Sequence, residues 1–432
     1  MTSRRIALAA VVAALATVAV GCGDEPSSQG AAHVESNAAH ARATQEEAAD
    51  GSAIVRTVGT KLYAPLAKEA GDHNLAFSPL SIVTALGMTR AGADGTSATQ
   101  LDELFGSTPA NGLHRAINGA DETVSSLAGP VQLADGKTMD EIDISTANSL
   151  WGQSGVTFEK PFLDELRSSY DASMWTADYA NDPERARADI NDWVKSHTGE
   201  KIAELLPKGS IDDLTRLVLA NALYFKAPWP ERIDDYPNAP FTTAAGKTVK
   251  APMLGLTEER AYAKGDGWQS VTIPYAGNKL GFTLLVPDEG KLDDVEAALD
   301  PKLLLDATTG ELTLVDLRFP KFDIKTEASL APALQSLGVK APFEKGTDDF
   351  LPMTKDPNAQ PLYLKDMLHQ ATVAVDENGT EAAAATAAVF DAVGAPIGPV
   401  ELKVDRPFLF VVHDLETSTP LFIGRIADPT AG

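Results

Sequence analysis

From residue 78 onward apolar positions recur at helical spacing. In FSPLSIVTALGMTRAG, Pro79, Ile82, Val83 and Leu86 share one stripe, and Gly92 lies near the stop. Ser78 stands where an N-cap accepts a backbone N–H, and Pro79 fills the first helical position, where a missing N–H leaves no partner wanting. A second helical segment, DPERARADINDWVKSHTGEKIAELLP, sets Ile190, Trp193 and Val194 on one face. Later in the chain the period changes. TRLVLANALYF, GFTLLVP, ELTLVDLRFPKFDI, RPFLFVVHD and PLFIGRI are rich in β-branched and aromatic residues and bounded by turn signals, so each is predicted as a strand. Helices in front and long strands behind predict an α+β domain with large sheets. No composition break divides it, and residues 52–432 are expected to form a single domain.

Ahead of that domain the pattern is different. The chain opens MTSRRIALAAVVAALATVAVGC: two arginines, an apolar run short for a permanent membrane span, then small residues directly before Cys22. That is the layout of a signal peptide over residues 1–21. The ending AVGC is similar to a bacterial lipobox, whose cysteine is acylated and becomes the new N-terminus, although Ala19 stands where leucine is commonest. An ordinary secretory signal with an incidental cysteine is the alternative. Residues 22–51 lack apolar periodicity and are expected to form a disordered tether behind the lipidated Cys22. Its mean reach, at ~5–6 Å times the square root of the residue number, is roughly 30 Å. The expected setting is an exported protein held at the cell surface or envelope through Cys22, or extracellular if the tether is unlipidated or cut.

Composition narrows the function by exclusion. A net charge of −25 disfavours nucleic acid and heparin-like polyanions as partners. Cys22 is the only cysteine, so neither an intrachain disulfide nor a cysteine zinc site can form. G-x-S-x-G, H-E-x-x-H, the P-loop and the dinucleotide fingerprint are all missing, and the histidines are scattered. No enzyme reading has positive support, and no metal or other cofactor is implied.

Six stretches resemble one family, in order and at matching spacing. They are NLAFSPLSIVTALGMTRAGADGTSATQL (residues 74–101), STANSLW (145–151), NDWVKSHTGEKIAELLP, LANALYFKAPW, RFPKFDI and LKVDRPFLFVV (402–412). All resemble the serpins, the loop-insertion protease inhibitors, and the likeness covers residues 55–429. The resemblance implies the serpin fold: N-terminal helices packed on large, mainly antiparallel β-sheets, with an exposed reactive-centre loop. It implies a monomer that traps a serine protease covalently when the loop is cut and inserts into the central sheet. Ser78, Ser81, Asn148 and His369 match the polar cluster where the central strands part, and Trp229 matches the tryptophan near the top of the opening.

The resemblance also gives a use to TEAAAATAA, which is too small-sided for a core and too apolar for an ordinary loop. In an inhibitor the segment after Glu377 is the hinge. Gly379 has no side chain to obstruct a turn, and Thr380 is small and β-branched. Ala382, Ala383, Ala384 and Ala385 add little volume to a packed interior. On the strand period Thr380, Ala382, Ala384, Thr386, Ala388 and Phe390 share one face, and both charges, Glu381 and Asp391, fall on the other. Counting from Glu377 at the family spacing places the scissile bond between Val393 and Gly394. Counting back from Arg406 points nearer Pro396, so the loop is about three residues longer than the common form. Proline in second place disfavours cutting Ala395–Pro396, and the bonds after Ala392 and after Phe390 stand behind Val393–Gly394. Between Gly379 and Leu402 there is no lysine or arginine, which argues against trypsin-type targets and for elastase-, subtilisin- or chymotrypsin-like ones. The alternative is a non-inhibitory serpin-fold surface lipoprotein acting as a binding module.

Overall fold

Helix α1 (Gln45–Ala70) begins at a capping box. Thr44 Oγ1 accepts the Glu47 N–H at 3.2 Å, and the Glu47 carboxylate accepts the Thr44 N–H at 2.7 Å. Ile54, Val55, Val58, Leu62, Tyr63 and Leu66 then form its buried stripe. The computed structural model describes residues 31–34, 36–106, 110–172, 174–356, 360–380 and 398–431. Helix α2 (Pro79–Ala91) starts as its sequence predicts, with the Ser78 Oγ accepting the Ser81 N–H at 3.2 Å. Its one-sided stripe is not what the structure shows. Every residue from Pro79 through Thr89 is buried, because α2 lies in the main core with other elements on all sides.

The expected tether is corrected from residue 31 onward. Strand β1 (Ala32–Val34) pairs antiparallel with a sheet edge, and His33 stacks on Trp175 at 4.4 Å. Ala41 N–H reaches Ser168 O at 2.9 Å, and Asn118 Nδ2 reaches Ala41 O at 3.1 Å. Arg115 pairs with Glu47 at 2.5 Å. These are backbone, ring-stacking and polar contacts to distant residues, and apolar periodicity does not register them.

One sheet carries the functional geometry. Its further strands are β2 (Gly129–Gln132), β3 (Met139–Gln153), β4 (Met174–Ala177), β5 (Leu217–Pro228), β6 (Phe322–Ser329), β7 (Leu364–Val375) and β8 (Gly379–Thr380). The order is β1-β4-β3-β5-β8-β7-β6, with β2 paired to β3 and β5 also paired to β7. Both faces of β5 are covered. Leu217, Leu219, Leu223, Phe225 and Ala227 enter the main core, while Val218, Ala220 and Ala222 pack beneath the Pro183–His197 helix with Ile190 and Val194. Hence β5 reads as a near-continuous apolar run.

A second, nine-stranded sheet holds most of the remaining predicted strands, among them Leu280–Pro287, Phe408–Asp414 and Pro420–Ile426. The run ELTLVDLRFPKFDI, predicted as one strand, is two. Glu311–Pro320 belongs to the second sheet and β6 to the first, so the chain changes sheets at Lys321. Pro320 has no N–H to continue a ladder, and both halves carry the same residue types, which hides the break. The change of sheet sets Lys321 at the head of the slot described below. Helices and two large sheets give the expected α+β class.

Candidate functional site

Strands β5 and β7 run parallel and pair from Leu217 with Leu364 up to Leu223 with Ala371. Beyond that point they part, and β8 occupies the mouth of the gap. Thr380 pairs with Ala227 on one side and Val375 on the other, and Gly379 pairs with Pro228. The chain reverses into this seat through a tight turn. Asp376 Oδ1 accepts the N–H groups of Asn378 at 2.7 Å and Gly379 at 3.1 Å, and Asp376 N–H donates to Gly379 O at 3.0 Å. Gly379 is required by close approach. A Cβ there would lie 2.3 Å from Ala227 O.

Aromatic groups floor the seat. Trp229 donates its Nε1–H to Asp376 O at 3.0 Å and its backbone N–H to Asn378 O at 2.8 Å. Its ring stacks on Tyr275 at 4.6 Å and 6°. Thr380 is fully buried, and its hydroxyl meets that of Tyr275 at 2.6 Å. Burial pushes the Tyr275 phenol far above its ordinary pKa, so it keeps its proton. Charges rim the seat. Glu377 pairs with Lys321 and lies 3.7 Å from Arg232, and Asp235 pairs with both of those cations. The hydrogen bond from Lys321 holds the Glu377 carboxyl below the usual carboxylate range.

Six residues down β5 from Ala227, about 20 Å at the strand rise, a polar row crosses the sheet. Asn148, Asn221 and His369 stand in register on β3, β5 and β7. His369 Nε2 accepts the Ser78 N–H at 3.0 Å, so Nδ1 carries the proton and donates to Asn221 Oδ1 at 2.5 Å. Asn221 Nδ2 donates to Asn148 Oδ1 at 2.6 Å and to Ser81 Oγ at 2.7 Å. Ser81 Oγ donates to Asn148 Oδ1 at 3.0 Å. Burial lowers the His369 pKa to about 3, so the ring is neutral. Any strand entering between β5 and β7 this far down must break the bond between Asn221 and His369.

Two groups of expected residues are therefore brought together separately. Ser78, Ser81, Asn148 and His369 form the row, and Trp229, Glu377, Gly379 and Thr380 form the seat. Asn221, Tyr275 and Lys321 were not foreseen. Asn221 had a signal, a lone amide inside LVLANALYF that must find partners if buried. Tyr275 had none, since it arrives from the other sheet. Cys22, Ala382, Ala383, Ala384, Ala385, Val393 and Gly394 lie outside the described residues. Among the described residues no group of three or more acidic, histidine or cysteine side chains could hold a metal, and no helix is long and apolar enough to cross a membrane.

Residues 53–429 match the family described as Serpin (serine protease inhibitor). The chain belongs to the serpin family. Relatives of this serpin include an uncharacterized serpin-like protein of Methanosarcina acetivorans, 31% identical over 85% of this chain and 84% of its own. Human Serpin B13 is 30% identical over 87% of this chain and 99% of its own. Among solved structures, the thermophilic serpin tengpin in its native state gives a TM-score of 0.78 at 26% identity, covering 93% of this serpin and 100% of tengpin. Human thyroxine-binding globulin, complexed with thyroxine, gives 0.75 at 25% identity, covering 89% and 100%.

Proposed function

We propose that this serpin inhibits secreted serine proteases as a suicide substrate. The observation that carries the reading is the seat: Thr380 already occupies the first position of a slot between two parallel central strands, with its side chain on the core side. The strand period then assigns Ala382, Ala384, Thr386, Ala388 and Phe390 to the core on insertion, and Glu381 and Asp391 to the opposite face. In the first step the protease serine attacks the Val393 carbonyl and the Val393–Gly394 bond breaks. Gly394 leaves as a free amine carrying the proton from the serine hydroxyl, and Val393 remains as an ester on the enzyme. Two fates compete for this ester. Water hydrolyses it and releases an active protease, or the freed loop enters the slot first and drags the protease with it, distorting its active site.

The target class follows from the loop composition. With no lysine or arginine between Gly379 and Leu402, the pockets served are small or apolar, as in elastase-, subtilisin- or chymotrypsin-like enzymes. We further propose that the protein is exported and tethered through an acylated Cys22. A Cys22→Ser variant is then expected in the medium rather than in the membrane fraction. The thyroxine-bound globulin marks the second reading, a serpin-fold binding module.

The test uses the form beginning at Asp24, which keeps every described residue, mixed with proteases of the three types. A denaturant-resistant protease–serpin band supports trapping, and a released peptide beginning at Gly394 identifies the bond. Ala384→Arg puts a charge on the core-side face, so its loop should be cut at the same rate with the band lost. Clean cleavage of the unmodified protein by all three classes, with full protease activity retained, favours the binding module.

A further inference from the structure

We propose that Tyr275 is a positioning residue for loop insertion, holding Thr380 in the slot so that strand growth after cleavage starts from a seated hinge. The inference rests on the inhibitory reading and extends it to a residue that lies outside the hinge and comes from the second sheet.

Tyr275 is held independently of the loop. It sits between strands Trp268–Pro274 and Leu280–Pro287 of the second sheet, where its N–H donates to Leu280 O at 2.9 Å and its carbonyl accepts from Asn278 N–H at 3.0 Å. The next residue, Ala276, donates its N–H to Pro228 O at 2.9 Å. Pro228 is also the residue opposite Gly379. The turn carrying Tyr275 is thus tied to the end of β5, one side of the slot. The ring is clamped by Trp229 and by Phe225, whose centroid is 5.4 Å away at 75°.

On this fixed mount the buried phenol meets one hydroxyl, that of Thr380. Among the described residues neither side-chain oxygen has another hydrogen-bond partner. Moving Thr380 out of the seat would leave the phenol buried and unpaired, which is costly. The position of Thr380 decides the rest of the strand, since a β-strand that starts one residue out of register presents every side chain to the wrong face. From the correct start, Ala382 and Ala384 go inward. A one-residue slip would put Glu381 there instead.

Because trapping and hydrolysis compete for one acyl-enzyme, the ratio of hydrolysed to trapped serpin reads insertion directly. The rate of attack on the distant scissile bond does not. Tyr275→Phe keeps the stacked ring and removes the hydroxyl, Thr380→Val keeps the shape and removes its partner, and Thr380→Ser keeps the bond. Tyr275→Phe and Thr380→Val are each expected to raise the hydrolysed-to-trapped ratio roughly five-fold, the factor for one ordinary hydrogen bond. The double variant should do no worse than either, Thr380→Ser should match the parent, and all should be cut equally fast.

Hydrogen exchange of residues 376–380 in the uncut proteins gives a readout without a protease, and faster exchange is expected in Tyr275→Phe and Thr380→Val. Unchanged exchange in both variants overturns the latch. Faster exchange with an unchanged ratio overturns the positioning role and leaves a structural contact. If the parent traps no protease of any class, the inhibitory reading falls and the positioning role with it, while exchange still shows whether the seat is held.

Discussion

His369 shows how much one buried ring can govern. Its folded pKa is about 3 because burial disfavours the cation, against about 6.5 for an exposed histidine. The unfolded chain therefore binds the proton first. The contribution of His369 is fully present above about pH 6.5 and is lost progressively as pH falls toward 3, by about 2 kcal/mol at pH 5. His413, buried with its pKa lowered to about 4, acts in the same direction. Asp121 opposes them. Its carboxyl is raised to about 6 by burial, so it favours the fold below about pH 4 and loses that contribution as pH rises through 6. The His369 share is isolated by comparing urea midpoints at pH 7.5 and 5 in the parent and in His369→Gln. The variant should show the smaller drop, and an equal drop in both would refute the assignment. Asn221 is the hub of the same row. Asn221→Ala strands the His369 Nδ1–H and takes a donor from Asn148 and Ser81, so a loss of roughly 2–3 kcal/mol is expected in the same titration.

At the scale of elements, residues 376–380 form a short hairpin whose second strand is described over Gly379–Thr380. Its position depends on Gly379, because any Cβ meets the Ala227 carbonyl. Gly379→Ala should therefore displace β8 while leaving β5 and β7 paired below Leu223. Exchange of the 376–380 amides should accelerate, with the overall urea midpoint changed far less. Concerted loss of both would mean that the seat is part of the cooperative core. Glu377, Lys321, Asp235 and Arg232 give the hairpin a charged rim that is partly exposed, and screening reduces what such pairs contribute. Raising salt alone should not unseat the hinge.

For the whole molecule, β5 and β7 are in direct contact from Leu217 to Leu223 of β5, and Gly379 and Thr380 are seated at the head of the slot. Completing a central strand from Thr380 to Phe390 would add backbone pairs on both sides. About ten net hydrogen bonds at ~1 kcal/mol each, divided by the unfolding entropy of a domain this size, give a rise in Tm on the order of 10 °C or more. Cleavage of the loop by a catalytic amount of protease, followed by calorimetry, should show that rise. A cut product that melts no higher than the uncut protein would show that the loop does not insert.

Much of this was legible in the chain because it depends on local rules. Ser78 before Pro79 starts a helix wherever it is placed, and apolar β-branched runs make strands. The polar row was readable only as a likeness, since Ser78, Asn148 and His369 lie far apart along the chain and say nothing alone. Other features were set by long-range packing. Lys321 lies where one apparent strand divides between two sheets, Ala32–Val34 and Ala41 are held by partners far along the chain, and Tyr275 comes from the second sheet to meet Thr380. The sequence by itself determined which segments could be helix or strand, because propensity and periodicity act over a few residues. Which distant side chains share a slot was decided only by tertiary structure, because register between strands and the docking of one sheet on another are properties of the assembled core.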